Sequence, residues 1–401
     1  MPENKGLPRN PHLRFHFQHR MMEFFFQWIS GSAHHGGAEP GEIHYAASRI
    51  KDGDPESWIH EWTQLADRVL ARAITSATHD HPVSARESYL RAYVYRRAAL
   101  AFVDPTRDAR YRPMYFAARE HFRNAAALFD PPIEGLEIAF EGHPLPGYFV
   151  RARPGLKPAP TLLVFGGADT FVEDTYFIIA PAAVKRGWNA VLVDLPGQGI
   201  LPMEGSVWRF DVEKPVSAVV DAALRRPEVD PLRLAAMGIS AGGYIVPRAV
   251  GFEPRIMAAV TVSMLLDLVK IWPDAFQTVE DSLPFKAMKA LAPGRVEAAL
   301  RMMHFYEWHW GVGSLAELKR ACAEYVADPE RITCPVLNIV AEQEFTEFPP
   351  AREWDELCKA TIKRYQRVVT PADEGGEGHS VGTNQSLLAQ LAFDWLDETL
   401  A

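Results

Sequence analysis

Three stretches of this chain carry residue types that can do nucleophilic chemistry. Ser240 stands in Gly238-Ile239-Ser240-Ala241-Gly242, His379 in Gly375-Gly376-Glu377-Gly378-His379, and acids lie between them in Ala341-Glu342-Gln343-Glu344-Phe345. A serine hydroxyl is a weak nucleophile until a base takes its proton, and a histidine base needs a carboxylate to fix its tautomer. The Gly-x-Ser-x-Gly spacing offers a way to present the hydroxyl. On a sharp strand-to-helix turn the serine backbone is strained, and a Cβ at Gly238 or Gly242 would crowd it. The same turn aims the Ala241 N–H at the place where an oxyanion forms. Five letters alone are a weak signal, because a glycine-rich turn with an incidental serine reads the same. The apolar run Leu234-Ala235-Ala236-Met237 before the motif and the apolar helical pattern after it strengthen the reading.

In an open sheet of alternating strands and helices, ligands gather at the carboxyl ends of the strands. Each candidate stands just past such an end. Gly166-Gly167-Ala168 follow the strand Thr161–Phe165, and an N–H of Gly167 or Ala168 is the expected second oxyanion donor. Pro196-Gly197-Gln198-Gly199 follow Ala190–Asp194 and read as a structural turn beside the site. Glu344, a short step past the small residue Ala341, is the expected triad acid, with Glu342 and Glu347 as rivals. His379 lies in a glycine-rich loop between the last strand and the last helix, a position suited to a mobile imidazole. The chain order is serine, acid, histidine.

The elements that must position these residues alternate in the second part of the chain. Strands are expected at Thr161–Phe165, Ala190–Asp194, Leu232–Ile239, Ile256–Ser263, Cys334–Val340 and Tyr365–Thr370. Helices fall between them near Val172–Arg186, Val212–Arg225 and Pro350–Ala360, and Ser386–Leu396 closes the chain. Short apolar runs separated by helices predict a mostly parallel sheet covered on both faces. An antiparallel hairpin, Ile133–Phe140 with Gly147–Arg153, precedes it.

Before the hairpin the pattern is helical. Asp54-Pro55 is a start signal, and Trp58, Trp62, Leu65 and Val69 make one apolar stripe. Ser84 and Glu87 match a capping box for a second helix reaching Val103, and a third spans about Asp108 to Phe129. The run Met21–Ile29, with Phe24, Phe25, Phe26 and Trp28, suggests a further helix, while the rest of the first fifty residues is hard to read. The expected division is an N-terminal helical domain, 1–130, and a catalytic domain, 131–401. Residues 265–328 are too long for a strand-to-helix connection and read as a helical cap insertion. Trp272, Asp274, Phe305 and Trp308 there are candidate substrate contacts; packing within the cap accounts equally for the aromatics. His304 and His309 read as packing or surface residues.

Composition narrows the function. The chain has 401 residues, 48% hydrophobic and 23% charged, with a formal net charge of -9. No basic face for nucleic acid is indicated. Three cysteines in no CxxC pair fit reduced thiols in a cytoplasmic protein rather than a disulfide framework. Met21–Ile29, interrupted by Glu23 and Gln27, is too short to span a bilayer and wrongly flanked for a signal peptide. Adjacent His34-His35 do not make a metal site. No metal, cofactor, nucleic-acid partner or membrane is therefore expected.

From about residue 130 onward the chain resembles an α/β-hydrolase. As a whole it resembles a narrower group that includes 2,6-dihydroxypseudooxynicotine hydrolase, the fungal polyketide-shortening hydrolases and the fermentation-respiration-switch-like proteins. The resemblance is carried by Asp54-Pro55-Glu56-Ser57-Trp58 with Glu61-Trp62, and by Ser84-Ala85-Arg86-Glu87-Ser88-Tyr89-Leu90-Arg91-Ala92. Gly166-Gly167, Asp194-Leu195-Pro196-Gly197-Gln198-Gly199, Gly238–Gly243 and Gly378-His379 complete it. It implies an α/β-hydrolase fold with an N-terminal helical domain that helps to enclose the active site, and a homodimer. It also implies hydrolysis of a carbon–carbon bond in a β-dicarbonyl or acyl-aromatic, polyketide-like small molecule. Glu344 stands where relatives usually have Asp, and the stretch from Ser240 to Glu344 is long. Hydrolysis of an ester or lactone is the alternative that the same residues permit. A dehydratase, cyclase or acyltransferase on the same fold, and a regulatory binding protein, are further readings.

Overall fold

The computed structural model describes residues 7–8, 12–152, 158–272 and 293–401. The chain forms two compact units. One comprises Met1–Pro8, Glu134–Asp274 and His309–Ala401; the other comprises Arg9–Ile133 and Ala275–Trp308. Asp274, Phe276, Glu280 and Phe285 of the expected cap lie outside the described residues.

The first unit is built on an eight-stranded sheet in the order β1-β2-β4-β3-β5-β6-β7-β8 among the described residues. The strands are β1 Glu134–Ile138, β2 Leu145–Val150, β3 Ala159–Phe165, β4 Asn189–Val193, β5 Val229–Ile239, β6 Ala258–Val262, β7 Val336–Ala341 and β8 Tyr365–Thr370. β1, β2 and β4 pair antiparallel. From β4 through β3, β5, β6 and β7 to β8 every pairing is parallel. The parallel strands β4, β6 and β7 are buried along their whole length. That is why they read as unbroken apolar runs rather than alternating ones. The expected hairpin is β1–β2, with Gly147 opposite Leu136. A Cβ on Gly147 would stand 2.5 Å from the Leu192 carbonyl oxygen, so glycine lets β2 close on β4.

Helices α6 Val172–Lys185, α7 Glu213–Leu224 and α8 Gly242–Val250 follow β3, β4 and β5 in turn. α8 packs on β5 and β6, and α6 on β4. The strand that leads into Ser240, β5, is thus central, with parallel neighbours β3 and β6 on either side.

The helical unit contains α1 Arg20–Gly31, α2 Pro40–Arg49, α3 Pro55–Thr78, α4 Pro82–Leu100 and α5 Tyr111–Ala127. α3 starts as expected: the Asp54 carboxylate accepts from the N–H groups of Glu56 and Ser57, and Pro55 occupies the first turn. Trp58, Trp62, Leu65 and Val69 are all buried. The Trp58 indole N–H donates to the Ala98 carbonyl at 2.8 Å, tying α3 to α4. The expected capping box does not form. α4 begins two residues earlier, at Pro82 behind His81, which places Ser84 inside the first turn instead of at its cap. The aromatic run near the start is α1, and α2 is a helix the sequence did not announce. The buried Glu23 carboxylate accepts the backbone N–H groups of Phe15, His16 and Phe17, which folds the preceding segment back onto α1. Residues 293–308, within the expected insertion, pack in this unit. Arg301 donates to the Phe102 carbonyl at 2.9 Å, and the Trp308 ring lies edge-on to Tyr111.

Candidate active site

β5 ends at Ile239, and the chain turns through Ser240 into α8. Ser240 has φ +57, in the left-handed region that a residue with a Cβ rarely occupies. Three glycines make the turn possible. A Cβ at Gly238 would fall 2.0 Å from the Gly242 carbonyl oxygen, and one at Gly242 would fall 2.4 Å from the Phe165 carbonyl oxygen. One at Gly243 would meet the Ser263 carbonyl oxygen at 1.9 Å. The elbow is fixed further by the Ser240 N–H, which donates to the Val262 carbonyl at 3.0 Å. Ala241 caps the N-terminal end of α8.

His379 opens a short 3-10 turn, His379–Val381, whose Ser380 and Val381 have φ +56 and +54. Its Nε2 lies 2.8 Å from the Ser240 hydroxyl. Its Nδ1 faces Glu344 Oε1 in hydrogen-bonding contact. The glycine-rich loop before it is tied down by four hydrogen bonds. Ala372 N–H donates to Glu342, Thr370 Oγ1 to the Gly376 carbonyl, Thr383 Oγ1 to the Gly375 carbonyl and Asn384 Nδ2 to the Glu374 carbonyl.

The three glutamates past β7 are separated by helix geometry. Glu342–Glu347 is a short helix that follows β7 directly. At about 100° per residue, positions 342 and 344 point to opposite sides. Glu342 reaches the Ala372 N–H at 2.7 Å, while Glu344, 1% exposed, turns inward to His379. Glu347 accepts from Gln343 Nε2 at 3.3 Å.

Gly166–Ala168 lie beside the serine. A Cβ on Gly167 would stand 2.8 Å from Ser240 Cβ and 3.0 Å from its hydroxyl oxygen, so the backbone approaches Ser240 as closely as glycine allows. The Gly167 N–H already donates to Thr170 Oγ1 at 3.0 Å. Of the expected second donors, Gly167 is therefore engaged within its own loop, while Ala168 is the next N–H along it.

Two residues escaped the sequence reading. Gln198, expected only as part of a turn, is fully buried, and its Nε2 donates to the carbonyls of both Gly166 and Gly167, at 2.9 and 3.0 Å. Its Oε1 accepts the Leu195 N–H at 2.8 Å, so one side chain sets the loop beside Ser240. The other is Ser263, whose hydroxyl donates to Glu344 Oε2 at 2.5 Å. Nothing in the letters around Ser263 marks it; its position after β6 is the only available signal.

The aromatic candidates have partners of their own. The Trp272 indole N–H donates to Cys322 Sγ at 3.3 Å, and its ring lies edge-on to Trp310. Phe305 and Trp308 belong to the helical unit, where Phe305 packs against Tyr306 and Trp308. Asp274 lies outside the described residues. His304 pairs with Asp104 at 2.7 Å within the helical unit. His309 is buried and holds the Gly197 carbonyl at 2.5 Å.

The sheet order, the left-handed serine between strand and helix, and the serine–acid–histidine succession define an α/β-hydrolase. The fold matches the crystal structure of 2,6-dihydroxy-pseudo-oxynicotine hydrolase with a TM-score of 0.71 at 21% identity, over 92% of this chain and 95% of that one. The family model described as "Esterase FrsA-like" matches residues 51–282. Hydrolyase poxO of Penicillium oxalicum is 31% identical over 420 residues, covering 96% of this chain and 98% of its own. Hydrolase ORFZ of Pyricularia oryzae is 32% identical over 418 residues, covering 95% and 97%. The chain belongs to the FrsA-like esterase family and is a hydrolase enzyme. Among the described residues, no helix is long and apolar enough to cross a membrane.

Proposed function

We propose that the protein is a serine hydrolase in which Ser240, His379 and Glu344 act on a carbonyl carbon of a small apolar molecule. The observation that carries this reading is the 2.8 Å approach of His379 Nε2 to the Ser240 hydroxyl, with Nδ1 of the same ring on a buried carboxylate. His379 takes the hydroxyl proton as Ser240 Oγ bonds to the carbonyl carbon. The oxyanion is met by the Ala241 N–H and by an N–H of the Gly167-Ala168 loop. Collapse of the tetrahedral adduct breaks the bond to the leaving group, which receives the proton from His379 Nε2. Water, deprotonated by His379, then attacks the acyl-enzyme and releases the acid and free Ser240. Glu344 holds the imidazole in the tautomer with Nδ1 protonated and stabilises the imidazolium.

In this reading the scissile bond is the C–C bond of a β-dicarbonyl or acylated aromatic. Its carbon leaving group departs as an enolate or phenolate-stabilised carbanion, which His379 protonates. This reading is supported by the similarity to poxO, ORFZ and the pseudo-oxynicotine hydrolase. The esterase description of the family favours a second reading, C–O cleavage by the same residues. Incubating the enzyme and its Ser240→Ala variant with panels of β-diketones and apolar esters, with product masses recorded, separates the two. Two fragments summing to substrate plus water from a diketone support C–C hydrolysis; turnover of esters alone supports the second reading. Turnover unchanged in Ser240→Ala, or no labelling of the wild type by a fluorophosphonate, would overturn both.

A further inference from the structure

Ser263 follows β6 directly and has φ +72. Glycine is the strain-free residue for such a backbone, yet a serine stands here, 3% exposed, with its hydroxyl 2.5 Å from Glu344 Oε2. The left-handed turn swings its side chain out of the line of β6 towards the acid. The backbone that does this is held from several sides. Ser263 N–H donates to the Ile339 carbonyl of β7 at 2.9 Å. The buried side chain of Asn338 takes the Thr261 hydroxyl and the Met264 N–H on either side of it, at 3.1 and 3.2 Å. The Ser263 carbonyl presses on the elbow, where it leaves no room for a Cβ on Gly243, and Leu265 N–H returns to the Gly243 carbonyl at 3.0 Å.

One residue therefore touches both the elbow that carries Ser240 and the carboxylate that orients His379. Glu344 is buried, and each of its oxygens has one partner, Oε1 the imidazole and Oε2 the Ser263 hydroxyl. A buried carboxylate with a free oxygen would be costly and able to rotate. We infer that Ser263 is a positioning residue of the catalytic site: its hydroxyl locks the Glu344 carboxylate so that Oε1 faces His379 Nδ1, and its backbone registers that carboxylate to the Ser240 elbow. The inference rests on the triad reading.

The test uses Ser263→Gly and Ser263→Ala in the full chain, with whichever ester or diketone the wild type turns over. Glycine relieves the backbone strain at φ +72, so a serine kept for structure alone would be replaced without loss. For a positioning residue kcat falls about tenfold or more in both variants, the scale of a lost hydrogen bond to a charged group, while KM stays within about twofold. In a Glu344→Gln background the same change adds little, because the carboxylate it served is gone. Wild-type kcat in a folded Ser263→Gly protein would overturn the inference while leaving the triad intact. Full activity in Ser240→Ala or Glu344→Gln would overturn the triad reading, and the inference with it. If Ser263→Ala fails to fold, Ser263→Gly still decides.

Discussion

The imidazole Nε2 of His379 lies 2.8 Å from the hydroxyl of Ser240, although 139 residues separate them in the chain. The contact is made by the sheet. β5 is central, and β8 stands beyond β6 and β7, so the loop after β8 must reach back across two strands. The hydrogen bonds that pin this loop, and the acid after β7 that lies along the way, are what hold the ring in place.

The assignment of the acid rests on Glu344 pointing inward and Glu342 outward. Glu344→Gln should lower kcat on the order of a thousand-fold or more, because the imidazole loses both its tautomer lock and its counter-charge. Glu342→Gln keeps an acceptor for the Ala372 N–H and should retain most of the activity, as should Glu347→Gln. Steady-state kinetics on the three purified variants checks this; a large loss in Glu342→Gln with near-normal Glu344→Gln would move the assignment.

Gly167 stands so close to Ser240 that its substitution tests the approach directly. Gly167→Ala places a methyl 2.8 Å from Ser240 Cβ, so the serine or the loop must move by a good fraction of an ångström. A displacement of this size costs on the order of a hundred-fold in kcat. Circular dichroism and the unfolding midpoint should change little beside that loss, and a fully active Gly167→Ala would refute the close fit.

The cysteines should be bystanders. Cys322 and Cys358 are buried, and burial pushes each thiol up to about 12, far from the range in which a thiolate forms and reacts. Iodoacetamide at pH 8 should leave turnover unchanged and modify these two residues only after denaturation. Inactivation that tracks alkylation of either thiol in the folded enzyme would contradict this.

His121 of the helical unit gives a pH-dependent stability. It is 6% exposed, and burial first, then the Arg96 cation, push its pKa down to about 4, against a smaller opposing pull from Asp67. Because the folded value lies below the unfolded value of about 6.5, the folded protein is favoured above that pH. The advantage is lost as pH falls towards 4, since the unfolded chain takes up a proton that the folded site refuses. The loss amounts to no more than about 3 kcal/mol. Urea unfolding at pH 7 and pH 4.5 should show a smaller drop in stability for His121→Gln than for the wild type. Equal drops would remove His121 as the cause.

The sequence by itself determined the class of fold and the serine–histidine pair. Buried parallel strands must be continuous apolar runs, and an elbow must have glycine wherever a Cβ would strike a carbonyl; both constraints are written in residue types. The strand at Tyr365–Thr370 was legible from its β-branched and aromatic residues, and the start of the helix at Pro55 from the Asp54 cap before it. What only the tertiary structure decided depends on direction and distance. Ser84 matches a cap, yet the helix passes through it, because Pro82 already starts the turn. The contacts of Gln198 and Ser263 are not written in the residues around them, since any turn holds polar residues; their meaning comes from the carbonyls of Gly166 and Gly167 and from the second oxygen of Glu344, which lie far away in the chain. Which of Glu342, Glu344 and Glu347 faces the imidazole likewise depends on the sense of one short helix, which turns Glu344 towards His379 and Glu342 towards the Ala372 N–H.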